Sequence, residues 1–402
     1  MKKSVFMVFI AVCLALTVCI ISGPVGAEPI TLKAVTGWPK TSSENKSFFI
    51  FTELVEQMVA KKYPGELKIN YVGGPEAVKN TDQVQAAQRG MVDMVYTTNA
   101  YYLSVLPEVD AYKLSEFTPM DERARGAYKY MNELHEKKGL YLLGRLGLSE
   151  KFYLYLKKPI QSADLKGLNI RVSPMYLQII KGLGGNPVVI PPTEVYVALE
   201  RNVVDGFCWP AVGIRDWGWQ KQVKYIVEPG FYQVPNPLVM NLNAWKKLPK
   251  KFQDLLIEAA IEAEKKAVAY FDQLAKDERP ILVKEGLQVI NLPAAEQQKF
   301  LKVGFEEGWK DIIQKNPQTG PELKKLLTKA RLRTFRTIYR EIFDREAFDD
   351  LGKRNVDAIN AFNFALFDET QGELIAQEGL RSVLKWRKEH SNPSANLPTI
   401  PR

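Results

Sequence analysis

The sequence predicts an α/β protein built as two similar lobes, and three observations carry that expectation. The chain has 402 residues, more than one hydrophobic core usually serves. A strand–helix–strand pattern occurs twice, around residues 81–93 and 193–205. A long amphipathic helix, Pro249 to Arg279, follows both copies. Composition agrees with a packed globular chain: 46% of residues are hydrophobic and 25% charged. Those values exclude a disordered chain, a collagen and a coiled-coil rod.

The N-terminus comes first. Lys2 and Lys3 precede an almost wholly apolar run, Val5 to Ile21, which Ser22-Gly23-Pro24 breaks. Val25-Gly26-Ala27 then offers a small-residue cleavage site before Glu28. This is the pattern of a cleaved secretory signal peptide over residues 1–27. An uncleaved anchor helix is the rival reading, because an apolar run of about 17 residues comes close to spanning a bilayer. A lipoprotein fits less well, since Val18 before Cys19 is bulkier than that processing usually accepts. Cys13 and Cys19 leave with the signal, so Cys208 is the one thiol of the exported chain. Three cysteines and two histidines, His135 and His390, exclude a disulfide framework and the usual Cys- or His-rich metal sites. No later segment approaches a membrane span, so a soluble, extracytoplasmic chain is expected.

The strand Ile30 to Val35 ends at the loop Gly37-Trp38-Pro39-Lys40-Thr41-Ser42-Ser43. The first repeat follows: a strand over Leu67 to Val72, a helix opened by Thr81, and a strand over Met91 to Tyr96. The second repeats the order with a strand over Pro187 to Ile190, a helix opened by Thr193, and a strand over Val203 to Cys208. In each copy the Thr is placed to cap the helix. Apolar residues at helical spacing (Val84, Ala87; Tyr196, Leu199) give one buried face. Gly90 or Asn202 ends the helix in the left-handed conformation those residues tolerate best. A βαβ unit implies parallel strands with a right-handed crossover. Parallel sheets place ligands at the carboxyl ends of their strands, here 96–102, 207–210 and the loop carrying Trp38. Trp38 and Trp209 would then be flat apolar walls, or equally core packing.

Between the copies, Leu168 to Val172 reads as a strand carrying Arg171 near its end. Ser173 and Pro174 then open a helix over Met175 to Leu183, stopped at Gly184-Gly185. A guanidinium at a strand end beside a helix N-terminus suits a carboxylate gripped by two parallel hydrogen bonds; a surface salt bridge is the plainer alternative. The long helix presents one apolar stripe, from Phe252 and Leu255 to Tyr270, Phe271 and Leu274, and Pro280 is expected to stop it. A strand over Leu287 to Leu292 and helices over Ala294 to Lys315 follow. The chain from Pro321 reads as helical and amphipathic, and Ser391 to Arg402 as a loose tail.

The net charge is +9. The basic residues lie among acidic ones along helices, without the basic-aromatic clustering a nucleic-acid surface requires, so no nucleic-acid partner is expected. A positive field would instead steer a small anion, or is simply a solvated surface. The chain has no nucleophile elbow, no zinc-protease helix and no phosphate loop. Those absences favour binding over catalysis, with no cofactor and no metal expected.

At Leu165-Lys166-Gly167-Leu168-Asn169-Ile170-Arg171-Val172, Pro192-Thr193-Glu194-Val195-Tyr196-Val197-Ala198-Leu199, Val204-Asp205-Gly206 and Trp245-Lys246-Lys247-Leu248-Pro249 after Asn241, the chain resembles TRAP-transporter substrate-binding proteins of the DctP type. The likeness spans roughly residues 28–315. It implies a type II periplasmic-binding-protein clamshell that closes on a small organic anion and delivers it to two membrane subunits. Lobe I would be 28–148 with 237–276 and lobe II 149–236 with 277–318; residues 319–402, longer than the family's usual tail, would be a helical extension, either a homodimer contact or an extra cover. Arg171 matches the family's carboxylate-pairing arginine. Trp209 falls where members place a ligand contact. The metal-binding Glu of Trp-bearing members is Cys208 here, which puts a metal-bridged ligand in doubt. Glu150 and Lys151 stand near a second polar contact. The full set expected to contact ligand is Arg171, Trp209, Lys151, Glu150, Trp38, Tyr96, Asn99, Tyr101, Phe207 and Asn236. The aromatic members would suit an aromatic or apolar acid. Two other readings use the same scaffold: an exported lyase or hydrolase with Glu150, Asp205 or Tyr96 as acid or base, and a sensory adaptor that presents ligand to a receptor.

Overall fold

The computed structural model describes residues 28–146 and 151–329. The signal segment, Glu150 and the chain from 330 onward, including the Ser391 to Arg402 tail, lie outside the described residues. In chain order the elements are β1 (Ile30–Thr36), α1 (Lys46–Lys62), β2 (Leu67–Gly73), α2 (Gln83–Gln88), β3 (Met94–Tyr96), α3 (Pro119–Ala124), α4 (Ala127–Glu136), β4 (Leu140–Arg145), β5 (Lys151–Leu156), β6 (Asn169–Val172), α5 (Leu177–Gly182), β7 (Asn186–Val189), α6 (Pro192–Glu200), β8 (Gly206–Pro210), β9 (Tyr225–Gln233), β10 (Pro237–Asn241), α7 (Leu242–Lys247), α8 (Lys250–Lys284), β11 (Gln288–Asn291), α9 (Ala294–Lys315) and α10 (Gly320–Leu327).

Two sheets form, ordered β2-β1-β3-β10-β4 and β7-β6-β8-β5-β9-β11. The first three strands of each are parallel neighbours, and the fourth joins antiparallel. Each sheet borrows that fourth strand: β5 follows β4 out of the first sheet, and β10 follows β9 out of the second. Two mixed sheets that exchange strands make a two-lobe α/β clamshell, as the repeat implied.

The repeat holds at the level of atoms. Both helices end on a left-handed residue, Gly90 at φ 72° and Asn202 at φ 55°. In both, the next amide returns to the helix: Met91 N donates to Ala86 O at 3.0 Å, and Val203 N to Ala198 O at 2.9 Å. The closing Asp does the same work twice. Asp93 Oδ2 accepts from Lys33 N, and Asp205 Oδ2 accepts from Asn169 N, each at 2.8 Å. Each Asp thereby ties a helix end to the middle strand of its parallel trio, β1 or β6.

The capping expectation fails in both copies. α2 starts after Asp82, and the Thr81 hydroxyl bonds only Asp82 Oδ1. α6 starts at Pro192, whose ring presets the first helical φ, so Thr193 lies inside the first turn. Ser173 likewise precedes a short 3-10 turn, Pro174–Tyr176, without capping it through its side chain.

The long helix differs as well. α8 runs to Lys284, so Pro280 sits inside it rather than ending it. The missing amide and the ring clash cost about 3 kcal/mol, and packing outweighs that. Arg279 pairs with Glu228 at 3.1 Å, Glu278 accepts from Gly213 N at 3.2 Å, and Leu282 is fully buried in the second lobe. Upstream, Phe252, Leu255, Leu256, Ala259, Ala260 and Ala263 pack into the first lobe. At 1.5 Å per residue the helix is about 50 Å long, and it is buried in both lobes. Tyr270, expected in the apolar stripe, is exposed, with the Lys46 ammonium 5.7 Å from its ring centroid.

Candidate functional site

The loop after β1 folds on itself before α1 begins. Asn45 Nδ2 donates to the carbonyls of Trp38 and Pro39, at 2.9 and 2.6 Å. Gly37 lies so close to β3 that a Cβ there would meet Thr97 Oγ1 at 2.9 Å. This closeness sets Trp38 beside Tyr96 and Tyr101, with ring centroids 5.6 and 6.5 Å away. Asn236, in the crossing between β9 and β10, donates from Nδ2 to Tyr96 Oη at 3.3 Å. Burial pushes the Tyr96 phenol well above its ordinary range, and that of Tyr101 up to about 12. Asn99 is fully buried and donates to Val109 O at 2.5 Å, with Oδ1 left over.

In the second lobe, alternation along β6 and β8 puts Arg171, Phe207 and Trp209 on one face. Arg171 is 1% exposed. Its Nε donates to Ile190 O at 2.9 Å, while Nη1 is buried with no hydrogen-bond partner among the described residues. The guanidinium lies 5.4 Å from the Trp209 ring centroid and 5.9 Å from that of Trp219. Desolvation lowers its pKa, yet a guanidinium stays protonated in proteins. The result is a buried cation without a carboxylate among the described residues. Phe207 stacks on Tyr155 at 4.9 Å and meets Trp219 edge-on at 5.1 Å, so it lies beneath the tryptophans and supports them.

The lobes meet around these groups. Ser43 N donates to Asp216 Oδ2 at 2.9 Å, and Lys113 Nζ, paired with Asp110 at 2.7 Å, donates to Met175 O at 2.9 Å. Tyr101 of the first lobe lies in the field of Arg171 from the second. The structure thus brings together Trp38, Tyr96, Tyr101 and Asn236 from one side and Arg171 and Trp209 from the other. Lys151 stands apart: it is exposed at the start of β5, with Glu116 and Arg145 as its charged neighbours. Asp205 is committed to the backbone of β6. Cys208 faces away from Trp209 into the core, and burial raises its thiol pKa. Among the described residues no three His, Cys, Asp or Glu side chains gather as a metal site would require.

One participant escapes the sequence pattern. Glu44 is buried, one residue beyond the loop that stood out, and its Oε2 accepts from the Ser42 hydroxyl. Trp219, which also borders the guanidinium, likewise gave no signal, because a tryptophan in a short 3-10 turn, Trp219–Gln222, has no periodicity to betray it.

The frame is that of the two-lobed solute receptors. The DctP model, described as bacterial extracellular solute-binding protein, family 7, matches residues 39–316. The chain belongs to that family. A monocarboxylate 2-oxoacid-binding periplasmic protein of Nostoc sp. is 27% identical over 326 residues, 75% of this chain and 83% of that protein. A solute-binding protein of Albidiferax ferrireducens is 22% identical over 64% of this chain and 79% of its own length. Among solved structures, a TRAP solute-binding protein of Desulfovibrio salexigens with bound orotic acid superposes at TM-score 0.65, with 21% identity, covering 74% of this chain and 97% of that one. A Bordetella bronchiseptica TRAP protein holding calcium and picolinate gives TM-score 0.64 and 21% identity, over 82% of this chain and 99% of that one. No helix among the described residues is long and apolar enough to cross a membrane.

Proposed function

We propose that this chain is the periplasmic receptor of a TRAP-type transporter, that it captures a small organic acid between its lobes, and that Arg171 holds the acid's carboxylate. One observation carries the reading: a fully buried guanidinium with an unpartnered Nη1, beside Trp209 and Trp219 at the lobe junction. A buried charge without a partner is costly, and a ligand carboxylate would supply both the missing charge and the hydrogen bonds. Trp38, Tyr96, Tyr101, Asn99, Asn236, Phe207 and Trp209 form or support the walls, and Lys151 borders the strand crossing. The 2-oxoacid receptor of Nostoc sp. supports the ligand class.

In this reading residues 1–27 export the chain, lobe I comprises 28–148 and 237–276, and lobe II comprises 149–236 and 277–318. Two membrane subunits accept the ligand, and residues 319–402 pair two copies. The chain binds without turnover: Asp205 is spent on a backbone amide, and the Tyr96 phenol is held in its neutral form.

Mass spectrometry of the protein as purified should release a small carboxylic acid. Calorimetry with that acid should show Arg171→Ala weakening binding at least a hundredfold, since stranding one partner of a buried charge pair costs about 3–5 kcal/mol. Unchanged affinity in a folded variant rejects the assignment.

A further inference from the structure

Glu44 and Arg171 form an unusual pair of opposites. Both are buried, they come from different lobes, and neither makes an ion pair among the described residues. Both lie near Trp209. The guanidinium is 5.4 Å from its ring, and a Cβ added to Gly213 would sit 3.1 Å from Glu44 Oε1 and 3.5 Å from Trp209 Nε1. Tyr101 feels the charge of both. Glu44 Oε2 is taken by Ser42 and the Trp217 indole donates toward the carboxylate, whereas Oε1 is buried and completes no hydrogen bond among the described residues. Asn45 and the Ser43–Asp216 contact fix this turn on both sides, so Oε1 is held at the junction rather than free to swing into water.

A buried carboxylate oxygen accepts, and something must donate to it. We propose that Glu44 is a specificity residue that receives an ammonium or hydroxyl group of the bound acid, so that the receptor selects amino or hydroxy acids over plain and 2-oxo acids. This rests on the reading of Arg171 as the carboxylate grip and adds the second pole of the ligand. Selection of this kind is strong because a ligand without the donor leaves the buried oxygen unsatisfied.

The protonation state of Glu44 supports the assignment. Burial raises its pKa to about 7, with Asp216 adding to the rise. A ligand donor favours the ionised form, so affinity for donor-bearing acids should increase from pH 6 to pH 8. The charged and titratable groups around the turn are Asp216, Arg215 and Glu278 near Gly213, with Tyr96, Tyr101 and Arg171 across the junction. All of them remain in a Glu44 variant, so comparison with that variant isolates the Glu44 contribution.

The test is calorimetry on two matched series. One is butyrate with its 2-hydroxy, 4-hydroxy, 2-amino, 4-amino and 2-oxo derivatives; the other is 3-phenylpropionate with phenyllactate, phenylalanine and phenylpyruvate. The wild type should bind a hydroxy or amino member at least tenfold tighter than the plain and 2-oxo members. Glu44→Ala should collapse that ranking to within threefold and abolish its pH dependence. Glu44→Gln should lose the preference for the amino member in particular. A ranking that survives Glu44→Ala, or a wild-type preference for the 2-oxo acid, overturns the proposal and leaves the Arg171 reading standing. Failure of every acid in both series to bind overturns both.

Discussion

Arg171 differs from the other buried charges in what surrounds it. Lys113 meets Asp110 and Arg145 meets Glu122, each at 2.7 Å, and Arg123 meets Glu264 at 2.8 Å. Replacing such a pair by apolar groups is often neutral, while stranding one member is costly. Arg171→Met should therefore leave the melting temperature of the ligand-free protein level or raise it, and remove the shift that ligand produces. A large loss of stability without ligand would mean that the guanidinium is structural. His135 offers a second residue-scale check. Its Nδ1–H donates to Met131 O at 2.7 Å, which leaves Nε2 to accept from the Tyr102 hydroxyl at 3.2 Å. Burial lowers its pKa to about 4 from 6.5, so unfolding takes up a proton that the folded ring refuses. Stability is full above pH 6.5 and falls toward pH 4, at up to about 1.4 kcal/mol per pH unit. Glu44 runs the other way: its raised pKa stabilises below pH 4.5, and that gain is lost as the pH rises through 7. His135→Gln should flatten the fall between pH 6.5 and 4 relative to the wild type. Identical pH profiles would contradict the neutral-ring assignment.

At the scale of elements, the repeat was legible because its signals are local. A glycine or asparagine at a helix end and an Asp three residues later mark the same turn twice. The capping roles were misread because Pro192 and Asp82, one residue away in each copy, set the first turn instead. Pro280 was misread because sequence shows the local cost and not the packing that offsets it. Two stability measurements follow from these elements. Asp93→Ala and Asp205→Ala each remove one backbone tie and should each cost about 1 kcal/mol. Their effects should add, since they act in separate sheets, and ligand affinity should hold. Pro280→Ala restores an amide inside a helix and should raise the melting temperature. A fall would mean that the ring itself is needed at that position.

On the scale of the whole molecule, each sheet borrows a strand where the chain crosses over, β5 at the first crossing and β10 at the second, and α8 is buried in both lobes. The lobe-to-lobe connections are thus the two strand crossings and one helix, and the ligand pole assigned to each lobe meets its opposite where strand ends face. The clamshell and Arg171 could be read from strand order and motif. Glu44 could not, because a carboxylate next to two serines looks like any solvated loop until the second lobe covers it. The most direct measurement compares the acid found in the purified protein with its own primary amide by calorimetry. The amide keeps shape and hydrogen-bonding oxygen but lacks the charge. The wild type should prefer the acid at least a hundredfold, and Arg171→Gln should bind both alike. Equal affinity of the wild type for acid and amide would contradict a receptor built around a buried guanidinium.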